Sequence, residues 1–93
     1  MEKISEEIIQ KVWEKAKIVA GYNPKYFRRD ACNAMIVLTE YGNRDGKYGW
    51  EIDYIIPEVM GGEDELANMQ PLHWKNYESK AENYPNWRCV LRS

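Results

Sequence analysis

Between residues 5 and 20 apolar side chains recur at helical spacing. Ile8, Ile9, Val12, Trp13, Ala16 and Val19 fall on one face, and Lys11, Glu14, Lys15 and Lys17 supply most of the other. The pattern predicts a packing helix over 5–20, with Ser5 as its N-cap and Glu6 and Glu7 in the first turn, where the helix dipole favours acids. Gly21 and then Asn23-Pro24 end it. "AMIVLTE" at 34–40 reads as a strand, "GNRDG" from Gly42 to Gly46 as a turn, and "YGWEIDYIIP" as a returning strand that stops at Pro57. "EVMGGEDELANM" reads as a loop. Gly61-Gly62 permits unusual backbone angles there, and Asp64 is placed to cap a short helical turn through Ala67. Pro71 is read as the initiator of a second helix over "LHWKNYESKAEN"; Pro85 lies past its end, and "WRCVLR" closes the chain as a strand or an extended tail. The order is helix, β-hairpin, acidic loop, helix and tail, which is an α+β arrangement in a single domain over 1–93.

Composition narrows the class. With 93 residues there is room for one modest core. Hydrophobic residues at 44% and charged residues at 30% fit a soluble globular protein, and no apolar run approaches the roughly 20 residues that span a bilayer. The start, "MEKISEEIIQ", has acids where a secretion signal needs a basic and then an apolar stretch, so a non-membrane, cytoplasmic protein is expected. Two cysteines, Cys32 and Cys89, form no close CxxC pair. That speaks against a zinc knuckle and fits a reducing compartment, with a Cys32–Cys89 bridge the less favoured reading.

Net charge is -2, and its distribution matters more than its sum. Residues 51–70 carry six acids and no base, whereas residues 22–50 carry five bases against three acids. A protein that grips a phosphate backbone normally presents a basic face. The stretch richest in chemistry-bearing residues is here the most acidic one.

That stretch has the parts of a metal-dependent phosphodiesterase site: oxygen or nitrogen ligands for a divalent cation, a base near neutral pKa, and a polar residue that braces the loop. "WEIDY-IIP", "GGEDELANMQPLHWKN" and the downstream "SK" resemble, in order, the motif of the HNH family of ββα-metal nucleases, over about residues 26–80, with a ββα core expected over about 26–82. "RRDAC" resembles the segment that leads into the hairpin of small members. The resemblance implies an HNH-like ββα-metal fold, a β-hairpin plus helix, with an added N-terminal helix. It implies Asp53 as metal ligand and Asn68 as loop brace and base-orienting residue; Arg28, Arg29, Lys75 and Lys80 are candidate contacts to nucleic acid or a partner, with Arg28 and Arg29 equally suited to pairing with acids.

The chain departs from the family pattern at two positions. Tyr54 stands where the family has its general-base histidine, and Tyr77 stands where many members have a metal-binding Asn or His. Asn76 is a nearby candidate ligand, one residue or about 100° around a helix from Tyr77. His73, the one histidine, is a candidate substitute base or a hydrogen-bonded structural residue. His73 and Asn76 occupy positions that are a Cys-x-x-Cys pair in zinc-bearing relatives, so no structural zinc is expected. Free tyrosine titrates near 10, about three units above neutrality, and a neutral phenol is a poor ligand for Mg²⁺.

Two readings follow. In the first, the scaffold is kept and hydrolysis lost or feeble, and the surface binds a protein that handles nucleic acid, in the manner of a phage-type inhibitor. In the second, the chain is an active DNA endonuclease using Mg²⁺ or another divalent cation. Trp13, Trp50, Trp74 and Trp87 are expected mostly in the core. The tyrosines around the motif are suited either to packing or to a protein-binding surface.

Overall fold

The computed structural model describes residues 4–93. Ser5 caps helix α1 (Glu6–Trp13): its Oγ accepts the Ile8 N–H at 3.2 Å. The helix is shorter than the 5–20 its apolar spacing predicts. The chain turns at Glu14, and Lys17–Ile18 form strand β1. The reason lies outside the segment. Arg28 donates to the Glu14 and Ala16 carbonyls, and β1 pairs with Arg28 and Arg29, so distant partners take over the backbone groups that a longer helix would have used.

Strands β2 (Phe27–Arg29) and β3 (Met35–Val37) complete a three-stranded antiparallel sheet in the order β1-β2-β3. The strand expected over 34–40 is therefore only three residues long, and residues 38–40 curl into a 3-10 turn. Nor does it form the principal hairpin with the WEIDY segment. Strand β4 (Trp50–Tyr54) meets Tyr41, just past that segment, through one isolated parallel bridge at Trp50. The partner of β4 is β5 (Met69–His73), antiparallel, with Trp50 opposite His73 and Tyr54 opposite Met69.

Residues expected to begin the second helix thus lie in a strand, and Pro71 sits inside it, opposite Ile52. A two-stranded ribbon leaves each strand an unpaired edge, where a residue without an N–H is tolerated. Helix α2 (Trp74–Asn83) starts immediately after β5, residues 84–86 turn, and the tail over 87–93 forms neither helix nor strand.

The core forms where α1, β3 and the β4–β5 ribbon meet. Val12, Trp13, Ala16, Ile36, Trp50, Ile52 and Met69 are buried together, and the Trp13 and Trp50 rings lie 5.5 Å apart. Trp74 and Trp87 are half-buried. The Trp74 indole donates to the Gly46 carbonyl. Among the described residues no helix is long and apolar enough to cross a membrane.

Cys32 and Cys89 are joined by a disulfide across 57 residues, correcting the reading of two separate thiols. Spacing along the chain does not report that the fold brings their Cα atoms to 5.6 Å, within bridging range. The argument from these cysteines to a reducing compartment falls with it.

Candidate functional site

The β4–β5 ribbon fixes two polar groupings at its opposite ends. At one end Asp53 and Tyr54 face Gln70 and Met69; at the other Trp50 faces His73. Three residues of strand, roughly 10 Å, separate the two.

The loop between the strands is shaped by its own backbone. Gly61 has φ 93°, the left-handed region that favours glycine. Gly62 packs so closely that an added Cβ would lie 1.7 Å from the Ile56 carbonyl oxygen. Asn68 ties the loop across its neck: its side-chain oxygen accepts the Ile56 N–H, and its amide donates to the Ile56 and Glu63 carbonyls, each at 2.9 Å. Every one of these bonds is to loop backbone, and none is to an imidazole or to Asp53. Asp64 does not cap the short turn, which is a 3-10 turn over Leu66–Asn68 with no side-chain cap. It accepts the Tyr54 hydroxyl instead, at 2.6 Å.

Asp53 is 4% exposed, and both its oxygens are engaged. Gln70 Nε2 donates to Oδ2 at 3.0 Å, and Lys80 Nζ, itself 4% exposed, donates to Oδ1 at 3.1 Å. The same ammonium reaches the Tyr54 carbonyl at 2.6 Å and lies 5.0 Å from the centre of the Tyr84 ring. Burial raises the Asp53 carboxyl above its ordinary value, against the downward pull of Gln70 and Lys80. The bond to Asp64 raises the Tyr54 phenol most, with burial and nearby acids adding to it, up to about 12. Tyr77 is half-buried, with the Arg44 guanidinium 5.1 Å from its ring centre. Asp53, Tyr54, Glu58, Tyr77, Lys80 and Tyr84 line a cleft of ≈ 350 Å³.

At the far end of the ribbon, His73 is fully buried as the N-cap of α2. Its Nδ1 accepts the Lys75 N–H at 3.1 Å, and Nε2 lies 2.8 Å from the Lys47 carbonyl. A carbonyl only accepts, so Nε2 carries the proton and the ring is neutral. Burial lowers its pKa below the ordinary 6.5, the Lys47 bond opposing.

Asn76 is equally buried and uses its whole amide. It donates to Asp30 and the Leu91 carbonyl, and its oxygen accepts the Val90 and Leu91 N–H groups. The structure therefore brings Asp53, Tyr54, Tyr77 and Lys80 together, and holds His73 and Asn76 in a separate network.

Asp30 is the centre of that network and was not singled out from sequence. It is fully buried and accepts from the Cys32, Ala34 and His73 N–H groups and from Asn76. The one local signal was "DACNA", an Asp followed by Asn33, whose φ is 72°: a side chain suited to capping a turn. Arg28 and Arg29 donate to backbone carbonyls, and among the described residues neither pairs with an acid. Arg28 holds the Pro24, Glu14 and Ala16 carbonyls, and Arg29 those of Asn33 and Ser93. Lys75 is exposed on α2, over the Trp74 ring.

Residues 39–75 match the model of the HNH endonuclease family, a span that contains β4, the loop, β5 and the first residues of α2. Over that span the chain is similar to the HNH endonuclease family. No curated protein and no solved structure matches it. The matched span ends before Tyr77 and Lys80, so their correspondence to HNH positions rests on the register after His73.

An HNH site implies a divalent cation, and the residues present do not fit one. Among the described residues no three His, Cys, Asp or Glu side chains converge as ligands. Asp53 already faces the Lys80 ammonium, Asn76 has no lone pair left over, and the other oxygen donors in the cleft are the phenols of Tyr54, Tyr77 and Tyr84 and the single carboxylate of Glu58.

Proposed function

We propose that this chain is a catalytically impaired HNH protein that acts by binding: a binding module, or an inhibitor, directed at a protein that processes nucleic acid. The observation that carries the reading is Tyr54. A base must accept a proton near neutral pH. A phenol whose pKa is pushed up to about 12 is ionised in roughly one molecule in 10⁵ at pH 7, and its O–H already donates to Asp64. The acids around it oppose a phosphate backbone as well as the phenolate.

The second reading, an active divalent-metal endonuclease, needs His73 as substitute base. Both His73 nitrogens are engaged, three strand positions from the residue opposite Asp53. That geometry supports a structural histidine.

The test is incubation of the purified chain with plasmid and single-stranded DNA in Mg²⁺, Mn²⁺ and Ni²⁺, beside Tyr54→His and Tyr54→His/Tyr77→Asn. The parent is expected to be inert. Activity gained with Tyr54→His alone would locate the defect in the base; activity needing both changes would locate it in the metal site as well. Robust nicking by the parent would overturn the reading.

A further inference from the structure

A second groove shares Tyr54, Glu58 and Tyr77 with the cleft and is larger, ≈ 760 Å³. Ile8, Ile52, Leu66 and Met69 contribute apolar surface to it, Tyr41 adds a third aromatic ring, and Glu51, Glu58, Asp64 and Glu65 bring four carboxylates. Among the described residues no Lys, Arg or His side chain lines it. The adjoining loop adds exposed apolar side chains: Val59 is 92% exposed and Met60 62%, with Ile55 and Ile56 also exposed. Apolar surface of this kind, bordered by a single sign of charge, marks an interaction site.

The chain itself shows which cation this wall accepts. Arg44 pairs with Glu51 at 2.8 Å while its guanidinium lies over the Tyr77 ring. An acid beside a tyrosine face suits a planar guanidinium, which pairs and stacks at once.

We propose that the groove and the loop at 55–66 form the docking surface for an arginine-bearing amphipathic segment of a protein partner. Its apolar side would lie on Leu66, Val59 and Met60, and its guanidinium groups would meet Glu58, Asp64 and Glu65. The proposal rests on the reading of this chain as a binding protein. Charge complementarity selects the occupant: with Glu51 taken by Arg44, Glu58, Asp64 and Glu65 carry three carboxylates that no Lys or Arg pairs among the described residues, and these repel nucleic acid and attract a cationic peptide.

The probe is a fluorescein-labelled helical peptide with leucine on one face and arginine on the other, beside the same peptide with glutamate for arginine. Fluorescence anisotropy is read with the parent, with Glu58→Gln/Glu65→Gln, with Val59→Ser/Met60→Ser, and with Asp45→Asn/Glu82→Gln. The last pair removes the same charge from exposed positions that do not line the groove. All substituted side chains are exposed, and thermal melts check that each variant is folded. The parent is expected to bind only the arginine peptide. Both groove variants should weaken it about tenfold, and the distal pair less than about threefold.

Equal weakening by the distal and groove pairs would overturn the proposal as general charge attraction. Binding unaffected by either groove variant would overturn it too. So would parent dimers, seen by sedimentation, that Glu58→Gln/Glu65→Gln dissolves, or single-stranded DNA binding lost in Val59→Ser/Met60→Ser. Plasmid nicking by the same parent preparation bears on the proposed function alone, so groove-specific peptide binding beside nicking would sink that reading and leave the groove standing.

Discussion

The two ends of the β4–β5 ribbon carry residues from one sequence motif and treat them in opposite ways. At the His73 end, Asp30, His73 and Asn76 are fully buried with their polar atoms matched to named partners, and the disulfide closes the chain beside them. At the Asp53 end, the ion pair with Lys80 is also buried, but Tyr54, Tyr77 and the acidic loop line open clefts. The first end has the character of a structural clamp: every partner is internal, and nothing is left to meet a ligand. The second keeps open clefts lined by phenols and carboxylates, and under the proposed function it serves recognition and not proton transfer. Motif residues therefore divide by what their polar atoms already hold. Spacing in the chain cannot make that division.

The contrast can be broken most forcefully at Asp30. Asp30→Ala leaves four buried N–H donors without an acceptor and should cost about 5 kcal/mol of stability, read by denaturant unfolding. Loss of the disulfide comes next. Opening a 57-residue span should cost about 4 kcal/mol, measured by unfolding with and without reductant.

At the other end, Lys80→Met strands a buried carboxylate and should cost about 3 kcal/mol, while Asp53→Leu/Lys80→Met should recover most of that. If the single and double variants are equally unstable, the pair is not the unit described.

The smallest effect is a pH dependence. His73 is held neutral by burial, below its ordinary 6.5, so as pH falls through 6.5 the unfolded chain takes up a proton that the folded chain refuses. Stability contributed by His73 is complete above that pH and declines below it. Asp53 has the reverse sign, since its raised value favours the folded state as pH falls toward the ordinary 3.8. Comparing pH-stability curves of the parent and His73→Gln isolates the histidine. The acid-side decline should be shallower in the variant.

Much of the fold was legible where local chemistry decides it. The Ser5 cap, the left-handed Gly61 and the HNH pattern around Asp53 all depend on residues a few positions apart. The early stop of α1, the pairing of β4 with β5, and the strand that carries Pro71 depend on partners far along the chain. Three-residue strands such as β2 and β3 are too short to show alternation. For the site, motif spacing pointed to Tyr54 and Tyr77, and both line the cleft beside Asp53. The network around Asp30 was not, because its donors come from residues 32 to 76 and a carboxylate in "DACNA" looks like any turn acid. The disulfide was hidden for the same reason.

The central claim is that the Asp53 end no longer supports hydrolysis. The most direct measurement is the nicking rate of supercoiled plasmid by the parent and by Asp53→Ala, in matched preparations and in the presence of Mg²⁺, Mn²⁺ or Ni²⁺. The account expects the two proteins to be indistinguishable from buffer. A parent that nicks plasmid at a rate that Asp53→Ala abolishes would contradict it.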